Sequence, residues 1–224
     1  LYPARLGAYE LFRAHGLPTT RNEQWKYTNI SSKLERIPSQ SDVKPVPVNL
    51  DNFINNFEIV KKAKENKDSV LVFMDGAMQS QLSVVNSDTK TVSVTSLKKD
   101  PIPDWAIKLN SEKHSQNVNE MFNLNTALME DGAIININDN KGVADNIYII
   151  HVGNNDGFYN YRHMINVQNG AHVNIIEFKI SNKVDIEALY TSSIIWKIGD
   201  NCVVNNVKYQ AHNQITIGFN QQYA

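Results

Sequence analysis

The spacing of apolar residues changes near residue 131. Before that point, apolar side chains recur mostly every three or four positions, which is the period of an amphipathic helix. From 133 onward they occur in short runs separated by Asn, Asp and Gly, a pattern typical of strands joined by tight turns. We therefore predict a helical or mixed α/β region over 1–130 and a strand region over 131–224, in a protein that is mainly β.

The N-terminal region begins with a predicted helix over 4–15. Leu6, Tyr9 and Phe12 recur on one face of this helix, and Gly16 is a typical C-terminal stop. Further helices are predicted over 51–65, 104–109 and 117–129.

A connector and a small group of strands lie between these helices. Residues 38–49 carry three prolines and no helical period, so we predict an extended connector. Residues 70–74 and 81–85 are predicted to pair across a tight turn at Asp75-Gly76, with 92–95 as a third strand.

The segment just after the first helix is crowded with polar and aromatic residues. Thr20 and Glu23 have the spacing of a capping box, which predicts that a second, short helix begins there. Trp25 and Tyr27 are predicted to anchor that helix to an apolar surface. This segment carries no catalytic pattern.

The strand region contains a weak internal repeat. Residues 164–178 align with 195–209 at an offset of 31. The matched pairs keep their small, apolar or aromatic character: Met164 with Ile195, Val167 with Ile198, Ala171 with Cys202, Val173 with Val204 and Phe178 with Tyr209. Self-similar strands at a fixed period predict a solenoid, most simply a β-helix. A β-sandwich is the alternative, because its strands also come at short, regular spacing.

Composition excludes several classes of function. The net charge of −1 and a pI of about 6.7 show no basic surface for nucleic acid or an anionic membrane. The single cysteine, Cys202, fits a reducing compartment, and no apolar run is long enough to span a bilayer. With no signal-peptide pattern at the start of the chain, we predict a cytoplasmic protein. Cys202 takes the place of Ala171 in the repeat, so a packed thiol is expected.

Candidate catalytic and metal-binding residues are few. His151, His163 and His172 lie in predicted strands and could meet between neighbouring strands, but their spacing matches no metal motif. No phosphate-binding loop and no nucleophile elbow occur. We therefore predict neither a catalytic nor a metal site.

The charged clusters are interpreted as structural or solvated. Glu130-Asp131 is expected to cap a helix end, and Asp185 and Glu187 to lie in a polar loop. A group of lysines is expected to form the solvated end of a helix: Lys61, Lys62, Lys64 and Lys67.

Four stretches carry a family resemblance. They are LPTTRNEQWKYT at 17–28, VFMDGAMQSQLS at 72–83, FNLNTALMEDGAIININ at 122–138 and RHMINVQNGAHVNIIE at 162–177. In this order they resemble the SufB/SufD family of the iron–sulfur cluster assembly machinery. The first stretch resembles the SufD branch, because SufB has a different N-terminal region.

The resemblance implies a non-catalytic scaffold subunit. In that family a helical N-terminal region precedes a right-handed parallel β-helix that pairs with SufB, and a C-terminal helical region docks the ATPase SufC. The iron–sulfur cluster is assembled transiently in the intact complex, so this segment is expected to bind no cofactor of its own. Family members extend well beyond residue 224, so the chain is expected to be a truncated, N-terminal part that lacks the SufC docking region. The strand edge left exposed could then support self-association.

Two other functions remain open at this stage. A β-helix carbohydrate-active enzyme would need charged side chains clustered on one exposed strand face, and Arg162 is the only candidate in the repeat. A β-sandwich binding module would show two facing antiparallel sheets.

Overall fold

A computed structural model describes most of the chain. It covers residues 2–34, 57–86, 90–98, 101–115, 119–140, 142–181, 187–211 and 217–224. The predicted connector over 38–49 and the first part of the predicted helix over 51–65 lie outside the described residues.

The helices are concentrated in the first 130 residues. They are α1 (Tyr2–His15), a single 3₁₀ turn (Glu23–Trp25), α2 (Ile30–Leu34), α3 (Glu58–Glu65), α4 (Asp104–Ser115) and α5 (Glu120–Leu128). The helices predicted over 104–109 and 117–129 are therefore confirmed, although their bounds differ from the predicted ones. At the start of α5, the Asn119 side chain accepts a hydrogen bond from the Phe122 amide at 2.8 Å, which is a typical N-cap.

Helix α1 ends where predicted but buries a different face. Gly16 has φ of +73°, and its amide donates to the Phe12 carbonyl at 2.7 Å. The buried residues are Ala4 and Ala8, whereas Leu6 and Tyr9 are each 49% exposed. The predicted apolar face is wrong for Leu6 and Tyr9, because the small alanines allow α1 to approach α5 closely. It is confirmed for Phe12, which packs against the cluster that contains Met121 and Leu124 of α5.

The strands form two sheets. Their bounds are β1 (Ser69–Met74), β2 (Ala77–Met78), β3 (Val92–Ser96), β4 (Ala133–Ile137), β5 (Asp145–Gly153), β6 (Gly157–Val167), β7 (His172–Ser181), β8 (Ala188–Ile198), β9 (Val203–Ala211) and β10 (Ile217–Tyr223). In the described residues, the first sheet has the order β2-β1-β5-β7-β9 and the second the order β10-β8-β6-β4-β3. From β4 onward, consecutive strands alternate between the two sheets.

The pairing between these alternating strands is parallel. Met164 of β6 pairs with Ile195 of β8, and Phe178 of β7 pairs with Tyr209 of β9. Both pairs are 31 residues apart, so the internal repeat found in the sequence is the register of β6 with β8 and of β7 with β9. Among the described strands only β1–β2 and β3–β4 pair antiparallel, which disagrees with the β-sandwich alternative. The right-handed β-helix stays a prediction.

The small strands differ in part from the prediction. The turn at Asp75-Gly76 is confirmed, since both residues have positive φ and join β1 to β2 antiparallel. The segment 81–85 makes only a single bridge, Val70 with Val84. Strand β3 pairs with β4 in the second sheet and not with the hairpin, because the chain crosses between the sheets before β3.

Three apolar layers hold the sheets and helices together. Between the sheets, inward-facing side chains such as Leu71, Ile135 and Ile165 are fully buried. Helix α3 covers the outer face of the first sheet, and α4 and α5 cover the outer face of the second. Full burial of one such side chain contributes roughly 1.5–3 kcal/mol, so these layers are the main source of stability.

The abundance of asparagine has a structural explanation beyond turns. The chain has 29 Asn, 16 of them after residue 130. Three of these form a ladder across β5, β7 and β9: Asn174 donates to Asn146 at 2.8 Å, and Asn205 donates to Asn174 at 2.9 Å. Asn146 in turn donates to Asp68 at 3.0 Å. Identical side chains in register can thus bond each other at every step of the sheet.

Candidate functional site

A cluster of rings lies where the two sheets face each other. Phe73 and His151 come from the first sheet, and Tyr161 and His163 from the second. The ring centroids of His151 and His163 are 5.1 Å apart, and those of His151 and Tyr161 are 4.3 Å apart. All four residues are buried. His151 and His163 therefore do meet, but across the interior between the two sheets and not between neighbouring strands of one sheet as predicted.

His163 is held as a neutral imidazole. The amide of Ala133 donates to its Nδ1 at 3.0 Å, which leaves Nε2 as the protonated nitrogen of the neutral ring. Burial, reinforced by the positive charges of Lys179, Lys208 and Arg162, lowers the pKa of His163 to about 3. The ring is therefore a hydrogen-bond donor through Nε2 at physiological pH.

The third strand histidine lies apart from this pair. His172 is half-buried at the start of β7, where its backbone exchanges hydrogen bonds with the Asn140 side chain. Within the described ranges, no group of three or more His, Cys, Asp or Glu side chains converges as a metal site would require.

Two aspartates organise the turns beside the ring cluster. Asp75 accepts hydrogen bonds from the amides of Asn154 and Asn155, at 2.8 and 3.2 Å. Asp131 is fully buried and accepts from Ser96 Oγ and from the amides of Met78 and Gly132, each at 2.8 Å. The prediction that the Glu130-Asp131 pair caps a helix is wrong for Asp131, which joins the β2 and β3 segments instead.

Arg162 is a structural residue buried beneath α5. Its side chain is fully buried, its Nε donates to Asn125 Oδ1 at 2.9 Å, and its Nη2 donates to Thr126 Oγ1. The guanidinium carbon lies 4.2 Å from the centre of the Phe122 ring. Burial lowers the pKa of Arg162 to about 9. A carbohydrate substrate could not reach this side chain, which removes the candidate for the enzyme alternative.

Charged residues also lie on the inward face of β7. Glu177 and Lys179 are 0% and 2% exposed. Lys208 of β9 forms an ion pair with Glu177, with Nζ and Oε1 3.2 Å apart. Burial lowers the pKa of Lys179 to about 7, and the nearby Glu177 opposes that shift. A lysine of this kind can be neutral or charged near neutral pH.

The sequence contained a signal for this pair that was missed. Val173 and Ile175 face inward, and strand side chains alternate between faces, so residues 177 and 179 must face inward as well. Two ionisable residues at core positions of a strand are unusual enough to mark a candidate site.

The crowded segment after α1 is built differently from the capping-box prediction. Thr20 lies outside the 3₁₀ turn, and the preceding bend is held by Thr19, whose amide and hydroxyl both donate to Asn22 Oδ1 at 3.0 and 3.1 Å. The capping box between Thr20 and Glu23 is therefore wrong, because the helical turn begins at Glu23 itself. Trp25 is half-buried against Phe219 as predicted, but Tyr27 is 92% exposed and anchors nothing.

This segment forms one wall of a surface cavity of about 290 Å³. The opposite wall is the start of α5, and the Asn22 side chain donates to Glu120 Oε1 at 3.2 Å across the cavity. The residues that line it are His15, Asn22, Glu23, Gln24, Trp25, Asn119, Glu120 and Asn123. The family-like stretch therefore contributes to a polar concave surface.

A family assignment follows from comparison with known proteins. Residues 1–149 match the family described as the SufBD protein N-terminal region, which is more than half of the 224-residue chain. The chain belongs to the SufB/SufD family. Membership of this family supports a part in iron–sulfur cluster assembly. A search of curated proteins found no match.

The family-like stretches of this SufB/SufD chain lie where one helix or strand is connected to the next. The stretch 72–83 forms the β1–β2 turn held by Tyr161, whose hydroxyl oxygen accepts from the Gly76 amide at 2.9 Å. The stretch 122–138 forms α5 and β4, and 162–177 forms parts of β6 and β7. The last of these lies beyond the matched residues.

The remaining predicted residues have ordinary surroundings. Cys202 is half-buried at the Ala171 position of the repeat, with Sγ 3.1 Å from the Gln168 carbonyl oxygen, so the packed-thiol prediction is confirmed in part. Lys61 and Lys62 are solvated and paired with Glu65 and Glu58 on the surface of α3. Asp185 lies outside the described residues. None of the helices in the described ranges has the length and hydrophobicity that crossing a bilayer requires.

Proposed function

We propose that this chain is a non-catalytic scaffold subunit of the SUF iron–sulfur cluster assembly system and belongs to the SufD branch. The family match over 1–149 is the observation that carries the proposal. The stretch LPTTRNEQWKYT at 17–28 supports the SufD branch, because its resemblance is to that branch. The cluster is assembled in the complex, and this segment binds no cofactor of its own.

The strand region is proposed to be a right-handed parallel β-helix. The alternation of strands between two sheets and the 31-residue parallel register support this fold. Such a fold presents long parallel edges, along which a second β-helix can be aligned. We propose that SufB is the protein that pairs with it in the cytoplasm, and that SufC is the ATPase of the intact complex.

The scaffold role is also supported by the burial and the hydrogen bonds of two charged residues. Arg162 and Asp131 are fully buried, and their hydrogen-bonding groups are directed at neighbouring backbone and side chains. Groups engaged in this way position strands and helices and are not available to a substrate.

Copurification with the partner subunits tests this proposal. The tagged chain is coexpressed with SufB alone, with SufD alone, and with SufB and SufC together. We expect SufB to copurify in stoichiometric amount, and SufD to be left behind. Preferential capture of SufD would place the chain in the SufB branch, and capture of neither would contradict the scaffold role.

A further inference from the structure

The interior between the two sheets changes from apolar to polar toward β9. One inward row runs across β1, β5 and β7 as Phe73, His151 and Lys179. The adjacent inward row begins with Leu71 and ends with Glu177 and, on β9, Lys208. The inward residues of β1 and β5 are therefore mainly apolar, whereas β7 and β9 add charged side chains to the interior.

The opposite sheet brings polar groups to the same level. Tyr161 of β6 pairs with Ser192 of β8, in the same way that His151 pairs with Lys179 across β5 and β7. Since the rings of His151 and Tyr161 face each other at 4.3 Å, the residues one strand further on, Lys179 and Ser192, also face each other. His163 lies beside them on the inward face of β6.

The positive charges in this interior outnumber the negative ones, because Lys179 and Lys208 both lie near the single carboxylate of Glu177. Glu177 is already engaged, because its Oε1 contacts Lys208 Nζ at 3.2 Å and accepts from Asn206 Nδ2 at 3.1 Å. Lys179 Nζ, which is buried, has no hydrogen-bond partner among the described residues. A buried ammonium group without an acceptor is strongly unfavourable, so the charged form of Lys179 favours the binding of an acceptor that carries negative charge.

The neighbouring polar groups are donors as well. Nε2 of His163 carries the ring proton, and neither it nor Ser192 Oγ has a partner in the described part of the chain. Together with Lys179 they make three buried donors on facing strands. The remaining unpartnered oxygen of the group, Glu177 Oε2, belongs to a carboxylate whose charge Lys208 balances.

We propose that Lys179, His163 and Ser192 form an internal binding site for a small inorganic anion of halide or nitrate size. The anion supplies the negative charge that Lys179 lacks and accepts hydrogen bonds from all three groups. Hydrogen bonds to an ion are about twice as strong as neutral ones, which favours an anion over a neutral ligand. The side chain of Lys208 is 26% exposed, so the polar interior reaches solvent next to this site.

Chloride binding can be measured directly by the broadening of the ³⁵Cl resonance in a titration of the folded chain. We expect broadening in the wild type that added nitrate reverses. Lys179→Met is expected to weaken this binding by about tenfold or more, the loss that corresponds to one charge-assisted hydrogen bond. Lys197→Met removes an exposed lysine of β8 and is the matched control, for which no change is expected.

A second variant keeps the test independent of Lys179. Ser192→Ala removes one neutral donor and is expected to weaken chloride binding by about threefold. Circular dichroism of each variant checks that the strands are formed. Equal broadening in the wild type and Lys179→Met would overturn the proposal, as would a wild type that shows no broadening, since Lys179 would then be satisfied by Glu177 or by water.

Discussion

Single residues in this chain are constrained mainly by close approach between strands. Gly132 lies before β4, directly against the backbone of Arg162 in β6. A glycine there is required by space and not by backbone conformation, because a Cβ at this position would collide with the Arg162 carbonyl oxygen. The glycine of the family-like stretch 122–138 therefore has a physical role.

Gly132→Ala should therefore destabilise the chain by about 3 kcal/mol or more, since overpacking a rigid backbone contact is costly. Urea unfolding followed by circular dichroism measures the change. Gly16→Ala is the matched control: Gly16 has φ of +73° but no atom within 4 Å of an added Cβ, so only a conformational cost of about 1 kcal/mol is expected. Equal losses in the two variants would contradict this explanation.

Arg162 provides a second prediction at this scale. Arg162→Met removes the charge-assisted hydrogen bonds to Asn125 and Thr126 and leaves their oxygens buried without a donor. We expect a loss of about 3 kcal/mol in the free energy of unfolding. The exposed Arg13 in α1 serves as the control, and Arg13→Met should change stability by less than about 0.5 kcal/mol. An Arg162→Met variant as stable as the wild type would show that the guanidinium is not needed to hold α5.

Lys179 makes stability depend on pH in a defined direction. Its folded pKa is lowered to about 7 by burial, with Glu177 opposing and Lys208 reinforcing the shift, while an unfolded lysine titrates near 10.4. Between these values the unfolded chain binds more protons, so stability rises with pH, by at most about 1.4 kcal/mol per unit. Urea midpoints at pH 7, 8.5 and 10 should therefore rise in the wild type and rise less in Lys179→Met. If the urea midpoint of Lys179→Met rises with pH as steeply as those of the wild type and Lys197→Met, then Lys179 is not the source of the pH dependence.

The elements of this chain are held in register by repeated polar contacts as well as by the apolar layers. In the ladder across β5, β7 and β9, Asn174 both donates to Asn146 and accepts from Asn205. Asn205 has a ladder bond on one side only among the described residues. The central and terminal positions of the ladder should therefore differ in energy.

Asn174→Ala is expected to cost about 1–2 kcal/mol, because it breaks two ladder bonds at a half-buried position. Asn205→Ala breaks one bond at an exposed position and should cost less than about 1 kcal/mol. Chemical unfolding of the two variants side by side measures the difference. Indistinguishable stabilities would mean that water replaces the ladder bonds without loss.

The helices and strands show which features of the fold could be predicted from the sequence and which could not. The parallel registers of β6 with β8 and of β7 with β9 followed from the offset of 31, because the repeat keeps the class of side chain at each paired position. The registers of β4 with β6, β5 with β7 and β8 with β10 have other offsets and were not predicted. The partner of β3 was missed because local pairing rules assign a strand to its neighbour in sequence. In the structure β3 pairs with β4, which follows α4 and α5 in the chain. The face of α1 was missed because alanine carries little hydrophobic signal, and its burial is decided by the approach of α5. Lys179 and Glu177 were missed because the repeat was compared at its small, apolar and aromatic positions, and the charged positions of β7 were not considered.

At the scale of the whole molecule, the first sheet ends, in the described residues, on an edge strand with an exposed apolar face. On β9, Val203, Val207 and Tyr209 are between 46% and 58% exposed. Edge strands of this type pair with other chains unless charges protect them. Self-association through this edge therefore remains our prediction for the chain.

Size-exclusion chromatography with light scattering should show a mass that increases with concentration. Val207→Lys places a charge on the β9 face and is expected to lower the associated fraction several-fold. Val143→Lys is the control, since Val143 is 72% exposed and lies in the turn between β4 and β5 and not on the β9 face. A strictly monomeric wild type would contradict the prediction, and equal association of the two variants would place the contact elsewhere.

The 31-residue register also determines how this molecule can change in length. A single inserted residue within a strand would turn every later side chain of that strand to the opposite face, exchanging core for solvent. A pair of successive strands, one in each sheet, can be gained or lost without that exchange, because each strand then meets an equivalent neighbour two strands away along the chain. The natural unit of evolutionary growth in this region is therefore one such pair of strands, and loops between strands are where shorter changes in length are tolerated.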